Sequence, residues 1–174
     1  TEVFEGLKLA DVGRLKLGIN VWSLLPEKYQ VTSVTVDDAN FYVKALNNGK
    51  ANYDIVKPDS AATPEKPKTE SKFDVQLDYY ALNNINVVYD DAPSQLYAEV
   101  KNLVHSGSGN FSNEEFDFYT KTSIDALSVS ASRIKYLNKT KVNIDFNANI
   151  NTKTKKYKLL DNSFKLNALE LNAE

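Results

Sequence analysis

The sequence predicts an all-β fold: a mainly antiparallel sheet built as a meander, a sandwich or a barrel-like closure, with at most one or two short helices. Three observations predict it. Apolar residues recur at every second position along most of the chain. Polar turns punctuate those runs at even spacing. No stretch long enough for a core helix carries apolar residues at helical spacing.

Each element follows in order. "LKLGINV" places Leu15, Leu17, Ile19 and Val21 on one side of a strand. "WSLLPEKY" (22–29) breaks the alternation, and Pro26 suits a short helical turn or corner. Val34 and Val36 resume it, "DDAN" (37–40) reads as a turn or bulge, and Phe41, Val43 and Ala45 follow in phase. "NNGK" (47–50) is a hairpin signal, because Asn-Gly tolerates positive φ at both central positions. "ANYDIV" returns as a strand. "KPDSAATPEKPKTESK" (57–72) holds three prolines and no large apolar residue, and is expected to be a flexible loop. It divides the single domain, residues 1–174, into a smaller N-terminal and a larger C-terminal sheet segment.

Beyond it, "FDVQLDY" and "NINVVYDDA" alternate, and "SQLYAEVKNLVHSG" puts Leu96, Ala98 and Val100 inward. "SGSGNFSNEE" (106–115) is a loop that contains Ser106 and follows His105. "FDFYTKTSIDALSVSA" is a long strand with a bulge expected near Asp125. "KVNIDFNANI" (141–150) alternates without a fault: Val142, Ile144, Phe146, Ala148 and Ile150 on one side, polar residues on the other. "NTKTKK" (151–156) is a polar hairpin turn. The last segment forms one or two strands with a phase slip, and so a bulge, between Ala168 and Leu169. "VTSVTVDDANFYV" echoes "YYALNNINVVYDDA" and the tail "DNSFKLNALELNA", either as repeated two-strand units or through shared β composition.

Composition narrows the function. The chain has 174 residues, 42% hydrophobic and 25% charged, with a net charge of −2. That supports one domain with a core and gives no basic patch for nucleic acid. Cysteine is absent, which excludes disulfides, thiolate metal sites and cysteine nucleophiles. Methionine is absent even at residue 1, so the chain reads as a processed or excised fragment of a larger protein. No run of 18 or more apolar residues occurs, which places any membrane anchor outside it. Arg14 and Arg133 are the only arginines among many lysines and asparagines, a bias that points to an A/T-rich genome.

No residue set points to catalysis, a metal or a cofactor. His105 is the only histidine and, preceding Ser-Gly-Ser-Gly, reads as a residue at a strand end or in a loop, without a site role. "GSGNFS" lacks the third glycine of a dinucleotide loop, and no nucleophile elbow occurs. Asp37–Asp38 and Asp90–Asp91 are adjacent pairs, and neighbours on a strand face opposite sides, so turn-capping is their reading. Asn110 and Asn138 fit the glycosylation pattern, as chance matches do in an Asn-rich chain. Trp22 reads as a core or corner residue.

The stretch "VWSLLPEKYQVTSVTVDDANFYVKALNNGKANYDIV" (21–56) resembles the N-terminal region of AsmA-family proteins, especially Bacteroidetes forms. The matching pieces are a strand leading into "LL", then "VTSVTVDDANFYV", then "NNGKANYDI". Ala39 and Asn40 stand where the family often has proline, and Tyr53 where an aromatic follows Asn52. "KNLVHSGSGNFS" and "TKTSIDALSVSASRIKYLNKTKVNIDFNANIN" also resemble that branch. The resemblance implies an elongated, twisted sheet, curled or groove-like, in a periplasmic protein anchored to the inner membrane. It implies a non-enzymatic role in outer-membrane biogenesis and in phospholipid transfer or homeostasis, with no catalytic residue, metal or cofactor to carry over.

Two functions therefore compete. In the first, an apolar groove holds phospholipid acyl chains, with Leu15, Leu17, Ile19, Val21, Val142, Ile144, Phe146 and Ile150 as its lining; the alternative for these residues is the core of a closed sandwich. In the second, the chain is an extracellular or surface β-sandwich binding carbohydrate or mediating adhesion. There Tyr79, Tyr80, Tyr89 and Tyr97 stack on sugars, and Asp90 or Asp91 binds calcium. Neither needs nucleic acid, and a monomer serves both.

Overall fold

The alternating runs, "ANYDIV" excepted, become strands that join edge to edge in one sheet. The computed structural model describes residues 4–24, 29–54, 73–111 and 113–173. The strands are β1 (Ala10–Ile19), β2 (Tyr29–Ala45), β3 (Phe73–Asp91), β4 (Leu96–Ser108), β5 (Glu115–Ala131), β6 (Ile134–Asn151), β7 (Lys156–Leu159), β8 (Asn162–Leu166) and β9 (Leu169–Ala173). Their order is β1-β2-β3-β4-β5-β6-β8-β9, and β7 pairs the same strand, β6, as β8 does. The fold is all-β, one open, twisted and mainly antiparallel sheet. Among the described residues the helical pieces are a 3-10 turn over Val21–Leu24 and the single residue Phe4. Val21 therefore leaves the strand face assigned to it. The loop expected at 57–72 lies outside the described residues.

Three details differ from the expectation. β2 and β3 pair parallel, so the sheet is not a pure meander. The two echoing segments lie side by side in this pair, with Asp37 opposite Asn83 and Asn40 opposite Asn86. The slip at Ala168–Leu169 is the β8–β9 hairpin turn, with Asn167 at φ 52. "ANYDIV" forms no strand in its described part: Ala51 makes a single bridge to Ala45, and a turn follows.

The strands are long because bulges let them run on through breaks in alternation. β3 has 19 residues, about 60 Å at strand rise. Asp38, Asn84, Asn102 and Lys139 each take positive φ inside a strand. Asp and Asn tolerate that region better than other side chains. These residues line up across the sheet. Asn84 donates to the Asp38 carboxylate at 2.8 Å, the Asn102 amide N–H donates to the Asn86 side chain at 3.0 Å, and the Asn102 side chain donates to Asp125 at 2.6 Å. At the β1 end of the row, a Cβ on Gly13 would lie 3.0 Å from Asp38.

The row shifts the apolar phase by one residue in every strand it crosses. The apolar face steps by three from Val12 to Leu15, Val36 to Ala39, Leu82 to Ile85, Val100 to Leu103 and Ile124 to Leu127, following the pairings. Without this shared slip, half of each strand would turn its apolar side chains to the polar face.

Candidate functional site

The apolar side chains fall on one face and align in rows perpendicular to the strands. One row runs Leu15, Val36, Leu82, His105, Thr122, Ile144, Phe164 and Leu171. The next runs Leu17, Val34, Tyr80, Gly107, Thr120 and Phe146. Leu15 and Leu17 on β1 thus share rows with Ile144 and Phe146 on β6, five strands away. Ile19, Val142 and Ile150 lie on the same face, and Val21 does not belong to it.

Among the described residues no second layer packs on this face: the extensive contacts between strands are all between sheet neighbours, and β2 also touches the 3-10 turn. Burial comes from lateral neighbours and falls towards the edges. Ile85 and Val142 are 2% exposed, whereas Leu15 is 59% and Leu17 54% exposed. At one end Phe111 folds back onto Phe116 and Phe118 with ring centroids 5.2 and 5.6 Å apart, closing that corner.

Of the two places expected for His105, the structure shows the strand: it lies near the end of β4. Its ring sits on the apolar face between the Tyr80 hydroxyl at 3.1 Å and the Thr122 hydroxyl at 2.8 Å. Tyr80 lies over Gly107, where a Cβ would collide with the ring. Burial pushes the imidazole below its ordinary 6.5. No carboxylate bonds to His105 among the described residues, so nothing orients it as a triad base would be.

The opposite face is polar, and several of its charges are paired. Asp37 meets Lys16 at 2.7 Å and Arg14 at 3.9 Å and accepts from Asn83 at 2.8 Å. The Lys16 and Asn83 bonds hold its carboxyl below the usual carboxylate range. Asp90 pairs with Lys44 at 2.8 Å; Asp91, at the strand end on the same side as Tyr89, accepts from Ser94 at 2.6 Å and from Tyr89 at 3.3 Å. Among the described residues no three acidic or histidine side chains cluster to hold a metal. The four tyrosines of the carbohydrate expectation do not share a platform: Tyr79 and Tyr97 fall on the polar face, Tyr80 and Tyr89 on the apolar one.

The motif "NNGKANYD" has a structural task. Gly49 takes φ 79 and closes the turn. Asn52 then donates to the Tyr42 carbonyl at 2.6 Å and accepts from the Lys44 amide at 2.8 Å. It thereby satisfies part of the β2 edge beyond the end of β1.

Among the described residues no helix is long and apolar enough to cross a membrane. Comparisons with protein-family models, with curated proteins and with solved structures found no match.

Proposed function

We propose that this chain is a non-enzymatic, lipid-handling segment of an AsmA-like envelope protein, working in the periplasm with its inner-membrane anchor in another part of the protein. Its role is phospholipid transfer or homeostasis in outer-membrane biogenesis. The observation that carries this reading is the apolar face, interrupted on β4 and β5 by His105, Gly107, Thr120 and Thr122, on which no second protein layer packs among the described residues. The motifs at 21–56 supply the family.

The chemistry is burial of hydrocarbon. Each buried CH₂ contributes ~0.8 kcal/mol, so a 16-carbon chain is worth roughly 12 kcal/mol before costs. Rows of Leu, Val, Ile and Phe give such a chain contact without fixed polar partners. Leu15, Leu17, Ile144 and Phe146 are the side chains it meets between β1 and β6. Non-directional contact also suits a carrier, because cargo held by dispersion and desolvation alone can slide.

Native mass spectrometry of the chain purified from membranes tests this. The expected spectrum carries phospholipid adducts, and they disappear in Leu17→Glu and Phe146→Glu variants that keep the wild-type circular dichroism. A lipid-free wild-type spectrum, or adducts that survive both substitutions, would overturn the reading.

A further inference from the structure

We infer that the polar face carries a saccharide site, a trough between Tyr79 and Tyr119 that accepts one pyranose ring. Tyr79 on β3, Ser108 on β4, Tyr119 on β5 and Asn147 on β6 are register partners in one row. The adjacent row brings Ser106, Lys121 and Asp145 together. These residues line a depression of about 290 Å³, the lower end of small-ligand sites.

The walls are aromatic and the floor is small. Tyr79 and Tyr119 stand two strands apart, about 10 Å at strand spacing, with Ser108 between them. They are 44% and 47% exposed. A pyranose presents C–H bonds on its ring faces and hydroxyls on its rim, so it matches aromatic walls with polar ends. Adjacent Tyr80 turns to the opposite face and lies over Gly107, so the two neighbouring tyrosines have separate tasks.

Hydrogen-bonding capacity is left over in the trough. The Lys121 ammonium and the Asp145 carboxylate are 3.8 Å apart, beyond hydrogen-bond distance. Each therefore keeps bonds for a ligand. Asn147 spends its side-chain N–H on the Asp161 carbonyl at 2.7 Å, which leaves its oxygen to accept. Tyr79, Ser106 and Ser108 make no side-chain hydrogen bond among the described residues. The trough thus offers donors and acceptors together, as sugar hydroxyls require. One positive and one negative group side by side suit a neutral polyol better than an anion or a cation.

This site lies on the face opposite the lipid-facing one and stands or falls without it. The test is titration of the ¹⁵N-labelled chain with methyl β-glucoside, methyl β-galactoside and N-acetylglucosamine, followed by amide shifts. At least one sugar should give saturable shifts confined to the two rows. Tyr79→Ala and Tyr119→Ala should each weaken binding about fivefold or more with unchanged melting, while Tyr97→Ala, exposed elsewhere on that face, leaves it intact. Shifts that stay linear for all three sugars, saturation centred elsewhere, or indifference to both tyrosine substitutions would overturn the proposal. For a sugar that binds, vesicles with and without a monoglycosyl diacylglycerol distinguish a lipid-borne sugar from a free one: vesicle binding gained with the glycolipid and lost in Tyr119→Ala assigns the first, and no gain assigns the second.

Discussion

Ile85 at the centre of the sheet and Leu15 at its edge lie on the same face and have similar side chains, yet one is 2% exposed and the other 59%. Ile85 has Ala39 on one side and Leu103 on the other. Leu15 has Val36 on one side and, among the described residues, no strand on the other. In a two-layer sandwich the opposing sheet would bury both. The contrast teaches that, among the described residues, burial is lateral, supplied by strand neighbours, and that the centre of the apolar face is covered by its own side chains.

The largest expected effect breaks the comparison directly. Ile85→Asp buries an unpaired charge and should cost about 3–5 kcal/mol in urea unfolding, whereas Leu15→Asp should stay within about 0.5 kcal/mol. Equal losses would mean that another layer covers β1. Next in size is the bulge row. Asn84→Val forces a β-branched residue to φ 54 and should cost roughly 1–3 kcal/mol, while Asn84→Gly should be nearly neutral. A cheap valine would show that the row is not what fixes the phase of the two half-strands. Asn52→Ala removes two bonds to the β2 edge and should cost about 1 kcal/mol, measured the same way.

The smallest expected effect is pH-dependent and comes from the faces themselves. The His105 imidazole is held below 6.5 in the folded state, so the unfolded chain takes up protons first on acidification. Stability is then full above pH 6.5 and declines as pH falls below it. His105→Gln should flatten that part of the profile. Asp37, held below 3.8, contributes stability above that value and loses it as pH falls through its folded pKa. Asp37→Asn should remove this second, more acidic decline. Thermal melting between pH 3 and 8 separates the two windows.

Local features were legible in the sequence, and non-local ones were not. "DDAN", Asp125, "NNGK" and "NTKTKK" announced a bulge, a register shift and two turns; in "DDAN" and "NNGK" the signal is a residue that tolerates positive φ, Asp38 and Gly49. The parallel β2–β3 pairing was not legible, since strand order depends on long-range contacts that leave no local pattern. The loop expected from residue 106 begins only after Ser108, because Gly107 continues β4 and is the space that Tyr80 needs. The phase slip at Ala168 carried a turn signal in Asn167 that the alternation around it concealed. Whether Ile144 and Phe146 meet a second sheet was undecidable from period two alone, because the core of a sandwich and an open face share that pattern. Tyr119 was missed because a binding trough depends on which residues sit beside it on other strands.

The chain contains no cysteine, so a single introduced thiol reports on one position without competition. The most direct measurement compares maleimide labelling of Ile144→Cys on the apolar face with Asn143→Cys on the polar face, with and without phospholipid vesicles. An apolar face that is open to solvent and takes acyl chains predicts that both label in buffer and that lipid protects only position 144. An Ile144→Cys thiol that is unreactive without lipid, or equally reactive with it, would contradict that account.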